Sequence, residues 1–308
     1  MRYDLVCLGN LSIDDVVLPD QTTRLNCFGG DTIYAALGAR WWSDDVRFVA
    51  PSGADYPAEN LEFLVRSGLQ IRGLVKRPVP TVHYRVAYAN NNQRTWTMLS
   101  NPDDFLELSP TLSDVPAEYR IARAFLVLAM DLKAQEALAP ALHYYGQLAL
   151  DPQEEYIPGN EKRILEMLKD VDIFLPSLEE VSLLLGHHDP EKACRLFAGL
   201  GPKVVVVKLG GQGSLIYDAL ADRFYPIPIY PTRVVDTTGA GDTFCGGFMA
   251  MYVRSGDLVK AGLAGAVSAS YAVEDFGLTH MFDINPMEAG LRLRALEEQY
   301  AASLPTEA

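Results

Sequence analysis

The sequence predicts an α/β fold in which a central, mostly parallel sheet is flanked by helices and joined by a small, separate β-sheet. Three observations carry this expectation. Short apolar runs alternate with helix-period segments along most of the chain, as repeated βα units require. The run Val204-Val205-Val206-Val207 shows no polar alternation, which suits a central strand buried on both faces. Two segments, 12–18 and 81–98, break the βα rhythm with strand-like patterns of their own.

A first strand is expected at 5–9, followed by the strand-like run 12–18, which ends at the turn-rich Pro19-Asp20-Gln21. A helix then enters at 31–42 behind Gly29-Gly30, with Asp31 as its cap. A strand at 46–50 and a helix at 58–66 come next. Segment 81–98 reads as a hairpin: Val82 to Tyr88 and Arg94 to Met98 alternate aromatic, β-branched and polar residues around the turn Asn90-Asn91-Asn92. Val82, Tyr84, Val86 and Tyr88 share one face of that ribbon, which a two-stranded hairpin cannot bury alone, so a homodimer through this sheet is expected. Strands at 124–129, 147–151, 172–175 and 204–209 alternate with helices at 133–145, 161–169 and 177–185. Helices at 242–254, 258–273 and 286–300 follow. No internal repeat or low-complexity linker appears, and one domain spanning 1–308 is expected.

The net charge of −14 argues against a nucleic-acid surface. A polyanionic ligand must therefore be held locally, by backbone amides, lysine and metal. The four cysteines show neither CxxC pairing nor metal spacing. Cys7, Cys27 and Cys194 sit in apolar or small-residue surroundings and read as buried thiols in a reducing compartment. Cys245 has two readings, a thiolate favoured by a helix start and a small packing residue. The five histidines are scattered without a zinc pattern. Met1-Arg2-Tyr3-Asp4 leads directly into a strand and no run reaches membrane-span length, so a cytoplasmic protein without a membrane partner is expected.

The stretch Val234-Val235-Asp236-Thr237-Thr238-Gly239-Ala240-Gly241-Asp242-Thr243-Phe244 carries the most chemistry. It reads as an apolar strand end, a small-residue turn and a helix start. Backbone N–H groups of Gly239, Ala240, Gly241 and Asp242 can converge on one anion at the positive end of that helix. A carboxylate beside a phosphate is best used as a base that takes a proton from an attacking hydroxyl. The other reading is a glycine-rich turn with Asp242 as helix cap. No GxxxxGK[ST] loop occurs, and Phe244 stands where a dinucleotide fingerprint has its third glycine.

This whole run resembles the signature of the ribokinase-like (phosphofructokinase B) carbohydrate kinases. The resemblance extends to Gly9-Asn10-Leu11-Ser12-Ile13-Asp14 and Gly29-Gly30, similar to the family's N-terminal sugar-binding motif, and reaches as far as Gly277. It implies an ATP-dependent kinase that passes the γ-phosphoryl group to a hydroxyl of a small sugar or sugar-like polyol, with Asp242 as general base. It also implies a β-lid made of 12–27 and 81–100. Acceptor contacts would come from Asp14, Gly29, Gly30 and Tyr34; Asp131, at the end of an apolar strand, is a further candidate. Many sugar kinases of the family have asparagine where Tyr34 stands, and one hydroxyl replaces three amide hydrogen-bonding positions. ATP contacts would come from Ser177, Lys208, Gly210, Gly213 and Gly241. Glu180 would hold Mg²⁺ through water, although Ser177 and Glu180 also spell a capping box. A monovalent cation, K⁺, would sit among Asp236, Thr238, Ala272, Asp275 and Gly277. A nucleoside kinase on the same scaffold and a non-catalytic ligand sensor are the alternatives.

Overall fold

A computed structural model describes residues 2–89 and 94–303 of the chain. The turn expected at Asn90-Asn91-Asn92 lies outside the described residues. The chain runs β1 (Leu5–Leu8), β2 (Ser12–Val17), β3 (Thr23–Gly29), α1 (Asp31–Arg40), β4 (Val46–Ser52), α2 (Ala58–Arg66), β5 (Leu74–Lys76), β6 (Val82–Tyr88), β7 (Arg94–Met98), α3 (Asp104–Glu107), β8 (Ala124–Val127), α4 (Leu132–His143), β9 (Gln147–Leu150), α5 (Glu161–Met167), β10 (Ile173–Phe174), α6 (Leu178–Leu185), α7 (Pro190–Ala198), β11 (Val204–Lys208), β12 (Ser214–Asp218), β13 (Arg223–Ile227), α8 (Ala240–Ser255), α9 (Leu258–Ala272) and α10 (Pro286–Ser303).

Strand alternation sorts the core into two layers. Leu5 and Cys7 of β1 face the layer of α1, α8, α9 and α10, while Val6 and Leu8 face α4 to α7. Val204 and Val206 of β11 face the first layer and Val205 and Val207 the second, so its lack of polar alternation is explained. The large sheet has the order β13-β12-β11-β10-β9-β8-β1-β4-β5. From β11 to β5 its neighbours pair in parallel, and β12 and β13 add an antiparallel edge. The elements expected from periodicity are present. Helices α3 and α7 and strands β5 and β13 were not foreseen, although Asp189 caps α7 and Pro190 opens it. Helices α1 and α8 meet backbone to backbone, because any Cβ at Gly246 would overlap the Ala35 carbonyl.

The smaller sheet has the order β3-β2-β6-β7, with β2 and β6 parallel. Its structure removes the reason for expecting a dimer. Val82 packs with Phe105 and Leu108, Val86 lies beside Val16 of the neighbouring strand, and Tyr88 packs against Phe276, so the chain covers this face by itself. No helix among the described residues is long and apolar enough to cross a membrane.

Candidate active site

The carboxyl ends of the parallel strands open into a cavity of about 820 Å³, bounded on one side by the smaller sheet. The start of α8 forms its floor. Gly239 is the α8 N-cap in a left-handed conformation (φ 71°), without a side-chain cap, and Gly239 to Asp242 all line the cavity. Asp242 is therefore not the cap that the alternative reading required. The N–H of Ala240 donates to the Thr237 carbonyl at 3.3 Å, closing the turn, and the positive end of α8 faces the cavity. Gly239 also serves as a contact surface, since a Cβ there would overlap the Tyr34 ring. Tyr34 is buried, and burial first, then the Asp236 and Asp14 carboxylates, push its phenol far up, so it stays neutral.

Tyr34 stands at one end of the cavity. Asp14 is 7% exposed and accepts the Ser12 hydroxyl at 2.9 Å. Burial raises its carboxyl from 3.8 to about 7, against the pull of Ser12 and His83. Gly29 leaves room for that carboxylate, because a Cβ there would overlap Asp14 Oδ2; Gly30 lines the cavity beside it. Two residues at this end were missed. The Asn10 amide is 5% exposed, lines the cavity, and neither its Nδ2 nor its Oδ1 has a partner in the protein. Asp31 is the first residue of α1 and not its cap, which is Gly30. Its Oδ1 accepts the Asn10 N–H at 3.1 Å. Burial, then the nearby Asp242, push its carboxyl well above the carboxylate range. Asp131 departs from expectation: it caps α4 by accepting the Lys133 N–H at 2.8 Å and is not among the cavity-lining residues.

The other end gathers one lysine and several carboxylates. Lys208 Nζ meets Asp151 Oδ1 at 2.6 Å, both side chains being largely buried. Burial works to lower the Lys208 pKa, but Asp151, Cys245 and Glu180 together outweigh it, so the ammonium stays charged. It sits against Gly241, 3.5 Å from where a Cβ would be. Asp151 was read only as the end of a strand, and nothing local in its sequence pairs it with a lysine 57 positions away. The Cys245 thiol is pushed well up by burial and then by Asp151, which overturns the thiolate reading. All four cysteines are free, and Cys27 is only half-buried where burial was expected. Ser177 and Glu180 form the capping box reciprocally, with bonds of 2.6 and 3.1 Å. Burial, with Asp151 adding and Lys208 opposing, raises Glu180 to about 8. Gly210 and Gly213 line the cavity nearby, and Ala266, Ala269 and Val273 of the α9 segment complete an apolar slot with Ile229 and Val234.

A divalent ion fits this carboxylate-rich end in one manner. Asp151, Glu179 and Glu180 offer hard oxygens, but no three His, Cys, Asp or Glu side chains form a cage among the described residues. Mg²⁺ commonly binds through one or two carboxylates, retained waters and substrate phosphates. The residues named for a monovalent cation come together in part. Asp236 is buried, and its Oδ1 accepts the Thr238 N–H and hydroxyl at 2.9 and 2.8 Å, while the Gly277 N–H approaches Oδ2 at 3.5 Å. Ala272 is buried beside Val273, whose carbonyl accepts the Val235 and Asp236 N–H groups. Asp275 is exposed and accepts the Phe276 N–H.

Residues 3–285 match the pfkB family of carbohydrate kinases. The chain is 30% identical over 279 residues to the cytidine kinase of Thermococcus kodakarensis, covering 89% of this chain and 97% of that protein. It is 32% identical over 291 residues to a nucleoside kinase of Methanocaldococcus jannaschii, covering 89% and 91%. In structure it is similar to an ATP-bound fructokinase from Xylella fastidiosa, with a TM-score of 0.80, 18% identity, and coverage of 96% of this chain and 100% of that one. With the family match over nearly its whole length, the chain belongs to the pfkB, ribokinase-like family of carbohydrate kinases, and is a phosphotransferase acting on a sugar or nucleoside.

Proposed function

We propose that the protein is an ATP-dependent nucleoside kinase that phosphorylates a ribose hydroxyl, built as one α/β domain with the smaller sheet as its lid. The aromatic wall of the acceptor end carries this reading. Tyr84 and Trp96 of the smaller sheet meet edge to face at 5.7 Å, and both line the cavity with Phe105. A nucleobase offers such a wall a flat π-face larger and more apolar than the C–H face of a free pentose. The names of the two relatives above point the same way.

In this reading Asp14 accepts hydrogen bonds from adjacent ribose hydroxyls, and the Asn10 amide finds on the ligand the partners it lacks in the protein. Tyr34, packed on Gly239, forms part of the wall against which the sugar rests. Asp242 takes the proton from the attacking hydroxyl, and the amides at the start of α8, with Lys208, stabilise charge on the transferring phosphoryl group. ATP lies along Gly210 and Gly213, with its base in the slot of Ala266, Ala269 and Val273. Mg²⁺, held through water by Glu180, would neutralise phosphate charge. K⁺ would support the Asp236–Gly239 turn through Asp236, Thr238 and the backbone near Gly277. The free cysteines suit a cytoplasmic location.

ADP release with Mg·ATP, measured against cytidine, uridine, adenosine, inosine, ribose and fructose, tests the proposal. At least one nucleoside should exceed both free sugars by tenfold or more in kcat/KM, which is about 1.4 kcal/mol of transition-state binding. Ribose or fructose matching the best nucleoside would return the assignment to a small-sugar kinase.

A further inference from the structure

The last residue of β6, Tyr88, belongs to the smaller sheet, yet its hydroxyl lies 2.8 Å from Thr238 Oγ1. The Thr238 hydroxyl hydrogen goes to Asp236 Oδ1, as does the Thr238 backbone N–H. With that hydrogen committed, Thr238 Oγ1 accepts and the Tyr88 O–H donates. The chain of hydrogen bonds therefore runs from the sheet to a carboxylate that is 4% exposed. The Tyr88 ring also packs edge-on against Phe276, with centroids 5.2 Å apart, next to Gly277, whose N–H approaches the second Asp236 oxygen. Tyr88 thus grips both segments that meet at Asp236. Three residues after Asp236, Gly239 opens α8.

At its other end the same strand reaches the acceptor. Tyr84 pairs in register with Asp14 on β2, and Val82 and Tyr84 line the cavity. One short strand therefore touches both the acceptor pocket and the turn that leads into the phosphate-binding floor. A rigid, hydrogen-bonded strand transmits a shift at one end to the other. We propose that Tyr88 is a positioning residue that couples acceptor binding to the shape of the Asp236–Gly239 turn, so that each substrate strengthens binding of the other. The inference rests on reading the start of α8 as the phosphate site, and it adds a coupling that this reading does not require.

Binding measurements without turnover test it. The dissociation constant of cytidine, or of the best acceptor in the substrate panel, is measured by calorimetry at fixed K⁺, alone and with saturating β,γ-imido-ATP. Wild type should bind the acceptor at least fivefold tighter with the analogue, since allosteric couplings typically reach 5- to 150-fold and are reciprocal. Tyr88→Phe keeps the ring on Phe276 and deletes only the hydroxyl. Its ratio should fall towards one, while each ligand alone binds within about twofold of wild type. Thr238→Val should also lower the ratio, and the ratio of the double variant should be no lower than that of either single one, as members of one chain are non-additive. A purely structural role would lower the melting temperature and both affinities but leave the ratio intact, and that result overturns the proposal, as does a wild-type ratio of one. Failure of wild type to bind β,γ-imido-ATP at all would instead defeat the phosphate-site reading, and the coupling with it.

Discussion

Replacing Asp14 with asparagine should make the ligand-free protein more stable and the enzyme worse. Asp14 is buried on strand β2 of the smaller sheet with the Ser12 hydroxyl as its hydrogen-bond donor, which an asparagine oxygen can also accept. Burial raises its carboxyl from 3.8 to about 7 in the folded protein. Below the ordinary value both folded and unfolded chains hold the proton, and the carboxyl adds no pH-dependent term. As pH rises from there to about 7, the unfolded chain gives up its proton and the folded chain does not, so stability falls throughout that window and is level above it. At about 1.36 kcal/mol per pH unit, the accumulated loss is about 2 kcal/mol at pH 5.5 and about 4 kcal/mol at pH 8.5. Asp14→Asn escapes this loss. In urea unfolding above the isoelectric point of 4.8, its advantage over wild type should grow by about 2 kcal/mol between pH 5.5 and pH 8.5. The same variant should raise the acceptor KM by roughly 5- to 150-fold while sparing that for ATP, because unpaired ribose hydroxyls cost about 1–3 kcal/mol. An advantage that is absent, reversed or independent of pH would refute the argument that this carboxylate is held against its preference for water.

Asp242→Asn should leave ATP binding near normal and cut turnover at least ~10²-fold, the lower range of general-base contributions; near-normal ADP release from the variant would remove Asp242 from that role. Activity should rise in K⁺ relative to Na⁺ or N-methylglucamine at matched ionic strength, since a cation beside Asp236 would hold the turn in shape; equal rates in the three salts would argue against the site. Asp131→Ala should cost about 1 kcal/mol of stability, as the loss of a helix cap does, with the acceptor KM unchanged. A marked rise in that KM would restore Asp131 as a substrate contact.

The sequence by itself determined most of the strands and helices and the principal turn of the cavity. These depend on neighbours within one or two turns of chain: the unbroken valines of β11, the reciprocal Ser177–Glu180 cap, and the adjacent small residues that let α8 begin at Gly239. Only the tertiary structure decided which polar groups meet. Asp151 and Lys208, 57 residues apart, become an ion pair because two parallel strands end side by side with one between them. Asp31 looks like a helix cap in sequence and becomes a buried neighbour of Asp242, its carboxyl pushed up, only because α1 and α8 pack with their starts at one cavity. Asp131 looks like a pocket residue and is spent on its own helix. The apolar face of β6, which seemed to require a second molecule, is covered by Phe105, Leu108 and Phe276 of the same chain. Burial and charge pairing arise from contacts distant along the chain, and local pattern carries no record of them.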